Sequence, residues 1–269
     1  MKQWLTVGLV AFGVSQWVAA APPAPGTPLS FVSCPIVRDT KTVPCWLAEY
    51  EGETYFLTLQ TDVSAPVNPP WLGHKVLVEG VVSDEPDICG GVVLKPVALS
   101  VMQELDASCN TMLPAEDRYE LTFEPPRPPG PSRGRLAFGG FAPPGSLPED
   151  TDFTVDGHFT LQYEFDGLVG FRHAPTLQQI LDFATQARAR ELRIVGYRAA
   201  SRLSNGDTML EREGIERERA EQVRDLLKGA GLTQVRYRME WKDVAASADG
   251  KTDASNRRAE VLVVSGRKR

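Results

Sequence analysis

The residues of this 269-residue chain with chemistry to offer are four cysteines, three histidines and a run of interleaved arginines and glutamates. Cys34, Cys45, Cys89 and Cys109 all fall in the first half. In an exported chain an even count reads as a disulfide framework, and sequence alone leaves three pairings open. The near-neighbour scheme, Cys34 with Cys45 and Cys89 with Cys109, is favoured. The spacings lack the close Cys-x-x-Cys pairs of structural zinc, so no metal site is expected. His74, His158 and His173 are isolated, and none has a partner at metal-binding spacing. No Gly-x-Ser-x-Gly elbow is present, and Ser201 and Ser204, beside Arg202, have no evident general base. The chemistry expected is therefore binding, with no catalytic residue and no cofactor.

The stretch from Leu192 to Leu227 carries the densest signal. Leu192-Arg193-Ile194-Val195-Gly196-Tyr197 reads as a strand, followed by a polar loop containing Ser204-Asn205-Gly206-Asp207. A helix follows with Arg219-Ala220 on it, and Asn256-Arg257-Arg258 opens a last strand. Arginine suits a carboxylate because its planar fork donates two parallel hydrogen bonds. The bland reading of the same helix is electrostatic. Glu211, Glu213, Glu216, Glu218 and Glu221 interleave with Arg212, Arg217, Arg219 and Arg224, which predicts exposed i,i+4 pairs of small individual worth.

These residues need elements to hold them. Residues 31–123 pattern as a β domain with four or five short strands. Trp46 to Leu59 reads as a hairpin around Glu51-Gly52. Lys75 to Val82 alternates around Gly80, a bulge or bend signal. So small and bent a sheet is OB-like by analogy, with Trp46, Tyr55, Phe56 and Trp71 read as core. Residues 124–152 are Pro/Gly-rich and read as an extended, semi-rigid linker.

Residues 153–265 pattern differently. Phe159, Leu161, Tyr163 and Phe165 alternate as a half-buried strand. Ala174-Pro175-Thr176 opens a helix with Leu177, Ile180, Leu181 and Ala184 as its stripe. The Arg-rich helix keeps Ala220, Val223, Leu226, Leu227 and Ala230 for burial and is ended by Gly229 and Gly231. Strands at Val235–Trp241 and Ala259–Val264 complete an α/β sandwich, helices on one face of a mixed sheet. The whole is α+β, a disulfide-stapled β domain followed by that sandwich.

Residues 1–20 read as a secretory signal: Lys2, an apolar core from Leu5 to Val14, and Val18-Ala19-Ala20 for cleavage. A Pro-rich leader covers 21–30, and 266–269 is a basic tail. The expected mature chain has no membrane-spanning segment and lies in the periplasm. A formal charge of −6 argues against a nucleic-acid partner, which calls for a basic patch.

Strand order, Gly196-Tyr197, Arg219-Ala220 and Asn256-Arg257-Arg258 together resemble the OmpA C-terminal-like family over about residues 159–264. The resemblance implies peptidoglycan as ligand, held through the diaminopimelate of its stem peptide. Arg219 would then take the carboxylate, with Tyr197 and Asn256 beside the pocket. The family's aspartate, partner of the ligand's ammonium, is replaced here by Ala199. Three readings stay open: Asp207 swings in as a substitute, the fold serves another envelope protein as an adaptor, or the site takes a different anion.

Overall fold

The computed structural model describes residues 23–60, 69–119, 146–170, 173–243 and 248–267. The signal-like segment and most of the Pro/Gly-rich stretch lie outside them. Seven strands among the described residues build the first sheet: β1 (Pro28–Ser33), β2 (Pro35–Arg38), β3 (Cys45–Tyr50), β4 (Glu53–Leu59), β5 (His74–Val82), β6 (Val92–Leu105) and β7 (Thr111–Leu113). Their order is β1-β5-β6-β4-β3-β2-β7.

Local chemistry explains the bends. Glu51 and Gly52 both adopt positive φ, the backbone that a two-residue hairpin turn between twisted strands requires. The β5–β6 register slips between Gly80 and Val82. A Cβ on Gly80 would lie 3.1 Å from both Leu94 Cβ and the Pro96 carbonyl, so the bend depends on a missing side chain. Long β6 pairs with β5 from Leu94 to Leu105 and with β4 through Val92 and Val93, which curls the sheet.

The sheet does not close, so the barrel analogy fails. Its end strands are β1 and β7. The β1 edge is taken instead by the second domain: Ser204 N–H donates to the Ser30 carbonyl at 2.7 Å, and Ser30 N–H to Ser204 Oγ at 2.9 Å. Trp46 and Tyr55 are core, as expected, but Trp71 is 63% exposed.

The bridges join Cys34 to Cys109 and Cys45 to Cys89, not sequence neighbours. Strand pairing is the reason: β7 runs parallel to β2, bringing Cys109 beside Cys34 at the strands' entry. Cys45 and Cys89 pack together with Ile36 and Leu47. Non-reducing peptide mapping should therefore return only these two pairs. Cys45→Ser/Cys89→Ser should lower stability by about 2–5 kcal/mol.

The second sheet contains β8 (Gly157–Gln162), β9 (Glu191–Tyr197), β12 (Arg236–Lys242) and β13 (Arg258–Val264) in the order β12-β9-β13-β8. Only β12 and β9 are parallel. Helices α1 (Ala174–Gln186) and α2 (Ile215–Gly229) pack on one face. Register puts Leu192, Ile194 and Gly196 of β9 level with Val263, Val261 and Ala259 of β13. Those side chains meet Ile180, Phe183, Ala220, Val223 and Leu227 in one core. Leu226 and Ala230, expected in that face, are exposed. The helix turns its Arg219 inward instead.

Two elements were not legible beforehand. The polar loop after β9 folds into a hairpin of β10 (Ala200–Arg202) and β11 (Thr208–Leu210), and α3 (Asp253–Asn256) precedes β13. The Asp253 carboxylate ties them together, accepting N–H bonds from Arg202, Asp249 and Gly250 at 2.8–2.9 Å.

The two sheets are docked. Arg257, 1% exposed, pairs its guanidinium with Glu79 of β5, and Ser201 Oγ donates to the same carboxylate at 3.0 Å. Phe165 N–H donates to the buried Ser100 Oγ at 2.8 Å. Glu79→Gln should cost about 1.5–3 kcal/mol, the worth of hydrogen bonds to a charged group. The loss should appear at one common urea midpoint whether circular dichroism or tryptophan fluorescence is followed. Two separated transitions in the wild type would show the domains to be independent.

Candidate functional site

Gly196 lets the site form. It sits where β9 passes under α2, and a Cβ there would lie 1.8 Å from the Glu216 carbonyl. The close approach sets α2 down so that Arg219 points beneath the β10–β11 hairpin. Immediately past β11, Glu211 turns back to meet it.

Arg219 and Glu211 are both fully buried. The Arg219 Nη2 and Nη1 donate to the two Glu211 carboxylate oxygens at 2.6 and 2.9 Å. Nη1 also donates to the Tyr197 carbonyl at 2.9 Å, Nη2 to the Glu164 carbonyl at 3.2 Å, and Nε to the Gly167 carbonyl at 3.0 Å. Every N–H of the guanidinium fork is therefore engaged. Glu211 is equally saturated, accepting N–H bonds from Asp166 and Ala199 at 2.9 Å each. The guanidinium face lies 4.7 Å from the Tyr163 ring centre. Burial pushes the Tyr163 phenol well above its ordinary range. Desolvation likewise raises the Asp166 carboxyl, partly offset by its hydrogen bond from the Arg212 N–H.

The helix expected to carry its charges on a solvated face thus keeps Arg219 and Glu216 inside, with Glu211 ahead of it. Asp207 does not approach Arg219 as a substitute carboxylate. It lies exposed in the hairpin turn, accepting a 2.8 Å bond from Asn205 Nδ2. Glu211, four residues on, holds the guanidinium. The sequence signal for Glu211 was weak, one acid among five; Glu79, partner of Arg257, gave none.

Tyr197 and Asn256 do come together. They line a cleft of about 440 Å³ at the carboxyl ends of β9 and β12, with Arg198, Trp241, Lys242, Asp243 and Arg258. Tyr197 Oη donates to Glu260 at 2.8 Å, and the Arg258 guanidinium lies 4.2 Å from the Tyr197 ring centre. Burial, then the Glu260 hydrogen bond, raises the Tyr197 phenol. Arg219 and Asp207 are not among the cleft's walls. Among the described residues, no group of His, Cys, Asp or Glu is arranged to hold a metal, and no helix is long and apolar enough to cross a membrane.

The fold and site define an α/β domain with an internally satisfied guanidinium, docked on a curled β sheet. No family model matches the chain, and no curated protein does. Solved structures match 41% of it, remotely, at a TM-score of 0.32. One is the OmpA-like domain of FopA1 from Francisella tularensis subsp. tularensis SCHU S4, 15% identical, with 73% of that chain covered. Another is the cell wall anchor of the T6SS from Pseudomonas aeruginosa, 23% identical, with 82% of that chain covered.

Proposed function

We propose that this chain is a non-catalytic cell-envelope protein whose OmpA-like domain serves as an assembly module and not as a holder of diaminopimelate. The observation that carries this is Arg219, at 0% exposure with all its N–H groups bound inside the domain. A ligand carboxylate would have to displace Glu211 from a dry, bidentate pair, and the departing charge would have no partner. The position of the family aspartate, Ala199, is itself fully buried. Export is supported by the cysteines, all four of which are in disulfides.

A partner surface is supported on the β domain. Trp71 and Leu105 are 63% and 78% exposed, and His74 lies between them, edge-on to Trp71 and paired with Leu105 across β5–β6. Large apolar groups gathered at a surface are a protein-contact signature. The test is co-sedimentation of the mature protein with isolated peptidoglycan sacculi. It should remain in the supernatant. Pelleting that free diaminopimelate reverses would overturn the reading and restore peptidoglycan as ligand.

A further inference from the structure

We infer that β12, the open edge of the second sheet, pairs antiparallel with β12 of a second copy of this chain. The two-fold axis would pass at Met239 and join the two four-stranded sheets edge to edge. The inference goes beyond the assembly reading by naming a partner. It rests on this edge alone, so either can fail without the other.

The edge is long and free. β12 is an end strand of seven residues, paired with β9 alone among the described residues. Arg236 N–H donates to the Arg190 carbonyl, and the Lys242 carbonyl accepts from Arg198 N–H. Both residues therefore turn their backbone toward β9, and by the strand's period of two Arg238 and Glu240 do the same. Tyr237, Met239 and Trp241 direct their N–H and C=O groups outward, a row of donors and acceptors at an unpaired edge.

Charge picks the register. Edge strands are commonly guarded by charge against such pairing, but β12 alternates in sign and is its own complement about Met239. There Arg238 of each copy stands opposite Glu240 of the other, on the face away from the helices. Both groups are under-answered within one copy. Glu191 alone serves two arginines, Arg193 at 2.6 Å and Arg238 at 3.2 Å. Glu240 is exposed, with no cation in ion-pair reach among the described residues. Moving the axis one residue either way sets Arg238 or Glu240 against itself, which repels. Moving it two residues leaves most of the strand unpaired. Arg236 does meet Lys242, but at the two exposed ends, where salt screens the repulsion.

On the helix-covered face the same register sets Tyr237 against Trp241 and Met239 against itself. Trp241 is 47% exposed, and the second copy would cover it. Lys228 lies 5.2 Å from the Tyr237 ring centre and Arg217 5.6 Å from that of Trp241. Arg224, beside the Met239 sulfur, is already answered by Asp225 at 2.7 Å. Aromatic cross-strand pairs add to the strength of a ladder.

The experiment is sedimentation velocity on the mature full-length protein from micromolar to submillimolar concentration. An edge contact is smaller than a standard interface, so the expected dimer is concentration-dependent. Arg238→Glu and Glu240→Arg should each weaken it at least about tenfold, since each turns two attractive pairs repulsive. Mixing the two variants should restore the dimer, as should both changes in one chain. Met239→Pro should abolish it by removing the axial N–H. That N–H faces away from β9, and an edge strand tolerates proline there, so the circular dichroism should stay that of the wild type. A monomer at every concentration would overturn the inference and leave the edge to a different partner. A dimer indifferent to these substitutions, or one that the mixture fails to restore, would overturn it as well.

Discussion

Glu211→Ala should cost about 3–5 kcal/mol, because it leaves the Arg219 cation buried without a counter-charge. Domains of this size are stable by about 5–15 kcal/mol, so the variant stands near the edge of folding. The residues lost with the carboxylate are identifiable: two guanidinium N–H groups and the backbone N–H groups of Asp166 and Ala199. Both side chains of the pair are fully buried. Glu211→Gln should be nearly as damaging, as one of its two atoms becomes a donor facing a donor. The double variant Glu211→Leu/Arg219→Met should recover much of the loss, apolar replacements of buried pairs being often neutral. Urea titration followed by circular dichroism measures all of these. A single alanine variant within about 1 kcal/mol of wild type would sink the claim that the pair is dry and closed.

Gly196→Ala should be the other severe change, and for a steric reason. The new Cβ would meet the Glu216 carbonyl at 1.8 Å and its carbon at 2.8 Å, both helix backbone. A side chain in the way can rotate; a helix must lift. Lifting α2 off β9 would open the contacts of Ala220 and Val223 with the core and pull Arg219 from Glu211. The expected cost exceeds the roughly 1–3 kcal/mol of ordinary overpacking, and soluble expression should fail or fall sharply. Gly229→Ala is the matched control. Nothing lies within 4 Å of a Cβ there, and it should be neutral or stabilising by up to about 1 kcal/mol. If Gly196→Ala melted within a few degrees of wild type, the close crossing would be disproved.

Some of this was readable because it is local. Alternation at Leu192 and Ile194, the apolar spacing of Ala220, Val223 and Leu227, and the Glu51-Gly52 turn all report a short-range backbone preference. Gly196 and Arg219 also stood out, as a glycine at a strand's end and an arginine next to a core alanine. Tyr197 and Asn256, 59 positions apart in sequence, line one cleft, without Arg219.

What the tertiary structure decided was partnership. Charged residues at helical spacing look alike whether they face water or the core, so nothing nearby marked Arg219 as buried or Glu211 as its counter-charge. The ion pair of Arg257 spans 178 positions to Glu79, and the bridges span 75 and 44. Such pairings follow from strand order: β7 beside β2, the hairpin β10–β11 against β1, α2 laid on β9. A spacing rule encodes which way a side chain points, but burial depends on what else arrives there. Here it was a glutamate from the chain itself, and it occupies the guanidinium that the sequence had offered to a ligand.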